Sequence, residues 1–243
     1  TPGPNKNENP IWSLDSIQAL RQWMVLTQLQ TPHPDILPVS IYNTLINTNP
    51  IPLKTWSLHA DEVLAWGICK RMQKEGFYIN RGFGINTAYI EGVDINGNLN
   101  RDKANEWNDL CVWFTVSPDG IVRFVGKAIC TTEPGKYYTL HPLHSKGAAR
   151  IAFGQYKAWI YGFHKGVQPA LIQASNIRVY RDTDYSMTRS KKDTIQIAPP
   201  GSGINQHSTG PGIIPKFVGK YSAGCLVKRD YEIHMEWLTA LTQ

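Results

Sequence analysis

The strongest constraint on the fold is a change of period at Gly82. Before it, apolar residues recur at helical spacing: Leu14, Ile17, Leu20, Met24 and Leu29 behind Ser13, then Val63, Leu64, Ile68 and Met72 ahead of Gly76. A hydroxyl before a first turn satisfies orphan amides, and a glycine after a last turn accepts the left-handed backbone that closes a helix. Helices are therefore predicted over 13–29 and 57–74, with a shorter one over 40–46; Thr31-Pro32-His33-Pro34 stops the first. After Gly82 the apolar residues fall into short runs separated by Gly, Pro and Lys, which reads as strands over 87–93, 110–116, 121–130, 149–153, 158–163, 170–173 and 177–180. Ser117-Pro118-Asp119-Gly120 joins the second and third as a hairpin, because Pro presets φ and Gly accepts a positive one. A terminal helix is predicted over 229–241, with Tyr231, Met235, Trp237 and Leu238 apolar. The expectation is an α+β chain: a flexible end or linker over 1–10, a small helical subdomain over 11–80, and a mainly β domain over 81–243.

Composition narrows the partners. A chain of 243 residues with 42% hydrophobic and 18% charged residues can bury a core. No run approaches the ~18 unbroken apolar residues of a membrane-spanning helix, so no membrane span is expected. The net charge of +6 is uneven, since residues 1–80 hold 6 basic and 6 acidic side chains and residues 81–243 hold 19 and 13. A basic domain attracts polyanions, an anionic cell wall among them. Basic runs no longer than Lys191-Lys192 or Lys228-Arg229, with no zinc-finger spacing and no aromatic RNA-binding signature, argue against nucleic acid.

The four cysteines form no C-x-x-C pair and no disulfide framework. Cys69, Cys111 and Cys130 sit in apolar helix-like or strand-like runs and read as inert core thiols. Cys225 differs, because it follows Gly224 and has His207 upstream. A thiol attacks as its thiolate, so a catalytic cysteine needs an imidazole to take its proton. Gly224 removes bulk beside the sulfur and lets amides around 224–225 face a developing oxyanion. Ser222 is a candidate for orienting the site, Asn205, Gln206 and Ser208 for binding substrate, and His164 for lining the cleft. His141, His144 and His234 have no partner pattern and are expected at the surface. Asp182-x-Asp184-x-Ser186 is like the start of a calcium loop, but Met187 stands where that loop needs Gly, and no metal site is assigned.

His207, fourteen intervening residues and then Ser222-Ala223-Gly224-Cys225-Leu226 resembles the L,D-transpeptidase (YkuD-like) signature, in which a His precedes Ser/Thr-His-Gly-Cys. The likeness extends to a divergent bacterial and phage subgroup through Asn105-Glu106-Trp107-Asn108-Asp109, Thr132-Glu133-Pro134-Gly135-Lys136-Tyr137-Tyr138, Gly154-Gln155-Tyr156 and His164-Lys165-Gly166, about 85–240 in all. Two positions depart from it: Ala223 replaces the second His, and Val227 stands where an Arg is common, with Lys228 and Arg229 as candidate replacements for that cation. The resemblance implies a β-sandwich or barrel-like catalytic domain acting on peptidoglycan stem peptides. In it Cys225 forms a thioester after release of D-alanine, His207 is the general base, and no cofactor or metal takes part. It implies a periplasmic, cell-wall or virion setting, secreted or within a larger chain; the helical N-terminal segment lies outside the resemblance and is a candidate for wall binding or for docking to a virion or other assembly. A peptidoglycan hydrolase of the same fold, acting as an L,D-carboxypeptidase or endopeptidase, and an inactive wall-binding or virion structural module are the alternatives.

Overall fold

The computed structural model describes residues 60–82 and 84–242. The linker expected over 1–10 and the helices expected over 13–29 and 40–46 lie outside the described residues. The described chain is α+β and mostly β, with a small helix before a sheet-rich domain.

Helix α1, Ala60–Lys74, has Asp61 and Glu62 in its first turn and Arg71 and Lys74 in its last, the order that complements the helix dipole. It closes at Gly76, φ +72, where the Phe77 N–H reaches back to the Met72 carbonyl at 2.9 Å. Strands β1 (Ile85–Ile90), β2 (Asp109–Val116) and β3 (Val122–Thr131) form an antiparallel meander whose second turn is the expected Ser117–Gly120 reversal, the Gly120 N–H donating to the Ser117 carbonyl at 2.9 Å. Strand β2 is covered on both faces, which its unbroken apolar run permits. Leu110, Val112, Phe114 and Val116 meet Ala65 and Cys69 of α1, while Cys111 and Trp113 face Trp237 and Leu238.

Beyond a short helix α2 (Lys136–Leu140), strands β4 (Ala148–Ile151), β7 (Ile177–Asp182) and β8 (Thr194–Ala198) make a three-stranded sheet in the order β4-β7-β8. Strands β5 (Trp159–His164) and β6 (Gln168–Gln173) form a hairpin that joins the larger sheet through β9 (Gln206–Ser208) and β10 (Leu226–Lys228). Its order is β1-β2-β3-β10-β9-β6-β5, with β9 and β10 parallel at the centre. The terminal helix α3, Tyr231–Thr242, begins one turn after β10 because Asp230 caps it, its carboxylate accepting the Glu232 and Ile233 N–H groups at 2.8 and 3.2 Å.

Helix α3 corrects two expectations. His234 is fully buried on its sheet-facing side, Nε2 donating to the Pro169 carbonyl at 3.0 Å, and burial holds its pKa down to about 3. Lys228 is also fully buried, its ammonium 3.2 Å from the Trp237 ring centroid and 2.6 Å from the Tyr89 hydroxyl. It lies among Cys111 and Cys130 on the α3 side and cannot stand in for the missing cation near Cys225. The Arg229 Nε donates to the Pro215 carbonyl at 2.9 Å. Among the described residues, no helix is long and apolar enough to cross a membrane.

Candidate active site

Cys225 and His207 come to one face of the sheet because β9 and β10 run parallel side by side. Leu226 pairs with Gln206 and Val227 with His207, so Cys225, one residue before β10, falls opposite Asn205. Side chains alternate along a strand, which puts Asn205, His207 and Cys225 on one face of the sheet, His207 about 6–7 Å farther along. The same alternation turns Gln206 and Ser208 to the face away from Cys225, correcting their expected role as substrate ligands. The Ser208 hydroxyl instead receives the Gln168 amide at 2.7 Å.

The site is dry. Cys225 is 7% exposed and His207 4%. Burial pushes the Cys225 thiol up to about 11, against the pull of the Asn205 N–H and the Lys165 ammonium. Burial, then the neighbouring His164, hold the His207 imidazole down to about 3, although its hydrogen bond to the Ser208 carbonyl works the other way. The resting pair is thus a neutral thiol and a neutral imidazole. His207 Nδ1 lies 2.8 Å from that carbonyl, which can only accept, so Nδ1 carries the proton and Nε2 keeps its lone pair free to act as a base. The thiol donates to the Gly203 carbonyl at 3.3 Å and receives the Asn205 N–H at 3.4 Å, a resting geometry that substrate must reorganise.

The loop before Cys225 is held by Ser222, whose fully buried hydroxyl donates to the Cys225 carbonyl at 2.9 Å and accepts the Gly224 N–H at 3.1 Å. Ser222, a candidate for orienting the site, is thus a positioning residue, and the Gly224 amide is not free for an oxyanion. Gly224 has φ +123, and a Cβ there would lie 2.7 Å from the Ala149 carbonyl oxygen, a backbone atom with no room to yield. Gly224→Ala should cost roughly 1–3 kcal/mol and displace the thiol; a thermal melt and Cys225 alkylation rates both equal to wild type would refute this.

Asn205 is also a positioning residue rather than a substrate ligand. Its Oδ1 accepts the Gln173 N–H and its Nδ2 faces His164 Nδ1, both at 3.0 Å. His164 does line the site, its ring stacked on His207 with centroids 3.9 Å apart and planes 11° from parallel. Lys165 was missed. It follows His164 at the tip of the β5–β6 hairpin, where φ is +52, and its charge favours the Cys225 thiolate; the His164-Lys165-Gly166 stretch is visible in the sequence, but nothing local in it aims a lysine at the thiol.

Two carboxylate clusters have the ligand types a metal uses. Glu91, Asp102 and Glu133 converge within 4.8 Å, as do Asp182, Asp184 and Asp193. In the first, Arg189 holds Glu91 and Arg150 lies 3.3 Å from Glu133, so guanidinium charge already occupies the cluster. In the second, the Ser186 and Met187 amides donate to Asp182, and Met187 adopts φ +61, the backbone for which a calcium loop would use Gly. The open hollow lined by Ser145, Gly147, Thr183, Tyr185, Thr194 and Gln196 contains neither Cys225 nor His207.

The arrangement holds the groups that acyl transfer would use: a thiol, an imidazole with a free lone pair, a carbonyl that orients that imidazole, and a cation nearby. No family model, curated protein or solved structure matches this chain.

Proposed function

We propose that this chain is a cysteine-dependent acyltransferase of the L,D-transpeptidase type, acting on peptidoglycan stem peptides from a periplasmic, cell-wall or virion setting. The observation that carries the reading is the register of β9 against β10, which sets Cys225 and His207 on one face, with the His207 Nδ1–H tied to the Ser208 carbonyl. The His207…Ser222-x-Gly224-Cys225 resemblance supplies the substrate class, and the basic excess beyond residue 80 suits an anionic wall.

In this mechanism the thiol proton passes to His207 Nε2 as Sγ bonds to the carbonyl carbon of the bond between an L-centre and a D-centre. The carbonyl electron pair moves onto oxygen. On collapse the C–N bond breaks and D-alanine leaves with the proton held by His207, leaving a thioester on Cys225. An amine from a second stem then yields a cross-link, and water yields a free tripeptide.

Mass spectrometry of tetrapeptide muropeptides incubated with wild type and with Cys225→Ala tests this. Wild type should release D-alanine and Cys225→Ala should not, with a new dimer or a tripeptide identifying the acceptor. Unchanged muropeptides with folded wild type, over several acceptor amines, would overturn the reading in favour of a wall-binding module.

A further inference from the structure

Two stacked imidazoles in one cleft are not required by a nucleophile–base pair, and hydrogen bonds fix each in a different tautomer. The Gln173 N–H donates to Asn205 Oδ1, which settles the orientation of that amide and leaves Nδ2, a donor only, 3.0 Å from His164 Nδ1. His164 Nδ1 is therefore the acceptor, and the proton of the neutral ring stands on Nε2. His207 is the reverse, with its proton on Nδ1 against the Ser208 carbonyl and a lone pair on Nε2. The stack presents one acceptor and one donor.

Attack by Cys225 on a carbonyl calls for both, a base for the thiol proton and donors for the oxygen that becomes negative. Several backbone donors around the sulfur are already engaged. The Gly224 N–H is held by Ser222 Oγ, the Leu226 N–H by the Asn205 carbonyl at 3.0 Å, and the Asn205 N–H faces the sulfur itself. Among the described residues, the Cys225, Ala223 and Gly203 N–H groups have no acceptor, and a carbonyl oxygen at the sulfur that met one of them would still have room for a side-chain donor. Ala223 offers no side-chain donor.

We propose that His164 is a second catalytic residue of this site, its Nε2–H donating to the carbonyl oxygen that Cys225 attacks. This rests on the acyl-transfer reading above. His164 keeps its proton throughout: the thiol proton goes to His207 and from there to the leaving group, while the hydrogen bond from His164 tightens as the oxygen gains charge. Asn205 fixes the tautomer that makes His164 a donor, and stacking on His207 places donor and base in one rigid unit.

The test compares two reactions of Cys225 in the full chain, with Cys225→Ala as background. Acylation by p-nitrophenyl acetate passes through an oxyanion and is read as p-nitrophenolate release and an acetyl mass shift; alkylation by iodoacetamide passes through none. His164→Phe keeps a ring on His207 but removes the Nε2–H, so acylation should fall on the order of 10²-fold more than alkylation, the scale of losing one oxyanion donor, and His164→Gln should recover part of it. Equal losses in both reactions, or none in either, would overturn the proposal by reducing His164 to packing. Nitrogen-15 NMR of the wild-type imidazoles decides independently of any variant: an Nε2–H His164 beside an Nδ1–H His207 supports the proposal, and an Nδ1–H His164 overturns it. A wild type that is alkylated at Cys225 but never acylated would overturn the acyl-transfer reading and this proposal together, a result distinct from wild-type acylation that persists in His164→Phe.

Discussion

Replacing His207 with Ala is expected to slow alkylation of Cys225 by ~10²-fold or more near neutral pH, the usual scale of general-base loss, and to change the shape of its pH dependence. In the wild type the imidazole is held down to about 3 and the thiol is pushed up to about 11. Between those values the pair rests as thiol and neutral base, so the base-assisted rate should be nearly level across that window and fall only as acid protonates His207. Without the imidazole the sulfur reacts only as free thiolate, whose population rises tenfold per pH unit until about 11. The gap between wild type and variant should therefore close as pH rises. Mass-spectrometric alkylation rates from pH 5 to 10 check this, and equal slopes in the two proteins would show that His207 is not the base. Cys69, Cys111 and Cys130, each at most 1% exposed, should lag behind Cys225 in the same spectra.

The elements legible in the sequence are those long enough to show a period or marked by a turn. The β2–β3 hairpin follows from eight- and ten-residue apolar strands around Pro118 and Gly120, and α3 from its spaced Trp237 and Leu238, with Asp230 setting a start two residues after the expected one. Strands β9 and β10 hold three residues each, too few to show a period, yet they carry the site. The residue types of the site were readable because a thiol, an imidazole and a glycine at this spacing imply a chemistry. Their directions were not. One step of register decides that His207 shares a face with Cys225 while Gln206 lies on the other, and that Lys228 lies under Trp237 instead of near the thiol. The stacking of His164 on His207 depends on β6 pairing with β9 across a gap of more than thirty residues, Leu171 opposite Gln206, which no local pattern reports.

The second large effect is expected behind the site, at a buried ion pair the sequence does not announce. Arg150 is 1% exposed and lies 3.3 Å from the carboxylate of Glu133, itself 6% exposed. The strand and loop that hold them also brace the nucleophile, since the Ala149 carbonyl closes over Gly224 and the Gly135 N–H donates to the Ser222 carbonyl at 2.9 Å. Burial pushes the Glu133 carboxyl up to about 8; Arg150 opposes this, while Asp102, Glu91 and Asp109 add to it. Arg150→Met should cost roughly 3–5 kcal/mol where Glu133 is ionised, because a buried carboxylate left without its partner loses the charge that offsets its desolvation. For a chain of this size that is a fall in Tm of about 6–20 °C. The pH dependence has a definite sign. In the unfolded chain Glu133 ionises near 4.5, so between that value and about 8 the folded protein holds a proton the unfolded chain has released. This contribution to stability is complete below 4.5 and is lost as pH rises through about 8. Removing Arg150 raises the folded value further and extends the decline to higher pH, so the loss in Arg150→Met should be larger at pH 9 than at pH 6, and Glu133→Gln, neutral at every pH, should flatten the curve and recover part of the loss when combined with it. Thermal melts of the four proteins at the two pH values decide the matter: a cost independent of pH, or no recovery in the double variant, would mean that Arg150 contributes through packing of its stem rather than through its charge on Glu133.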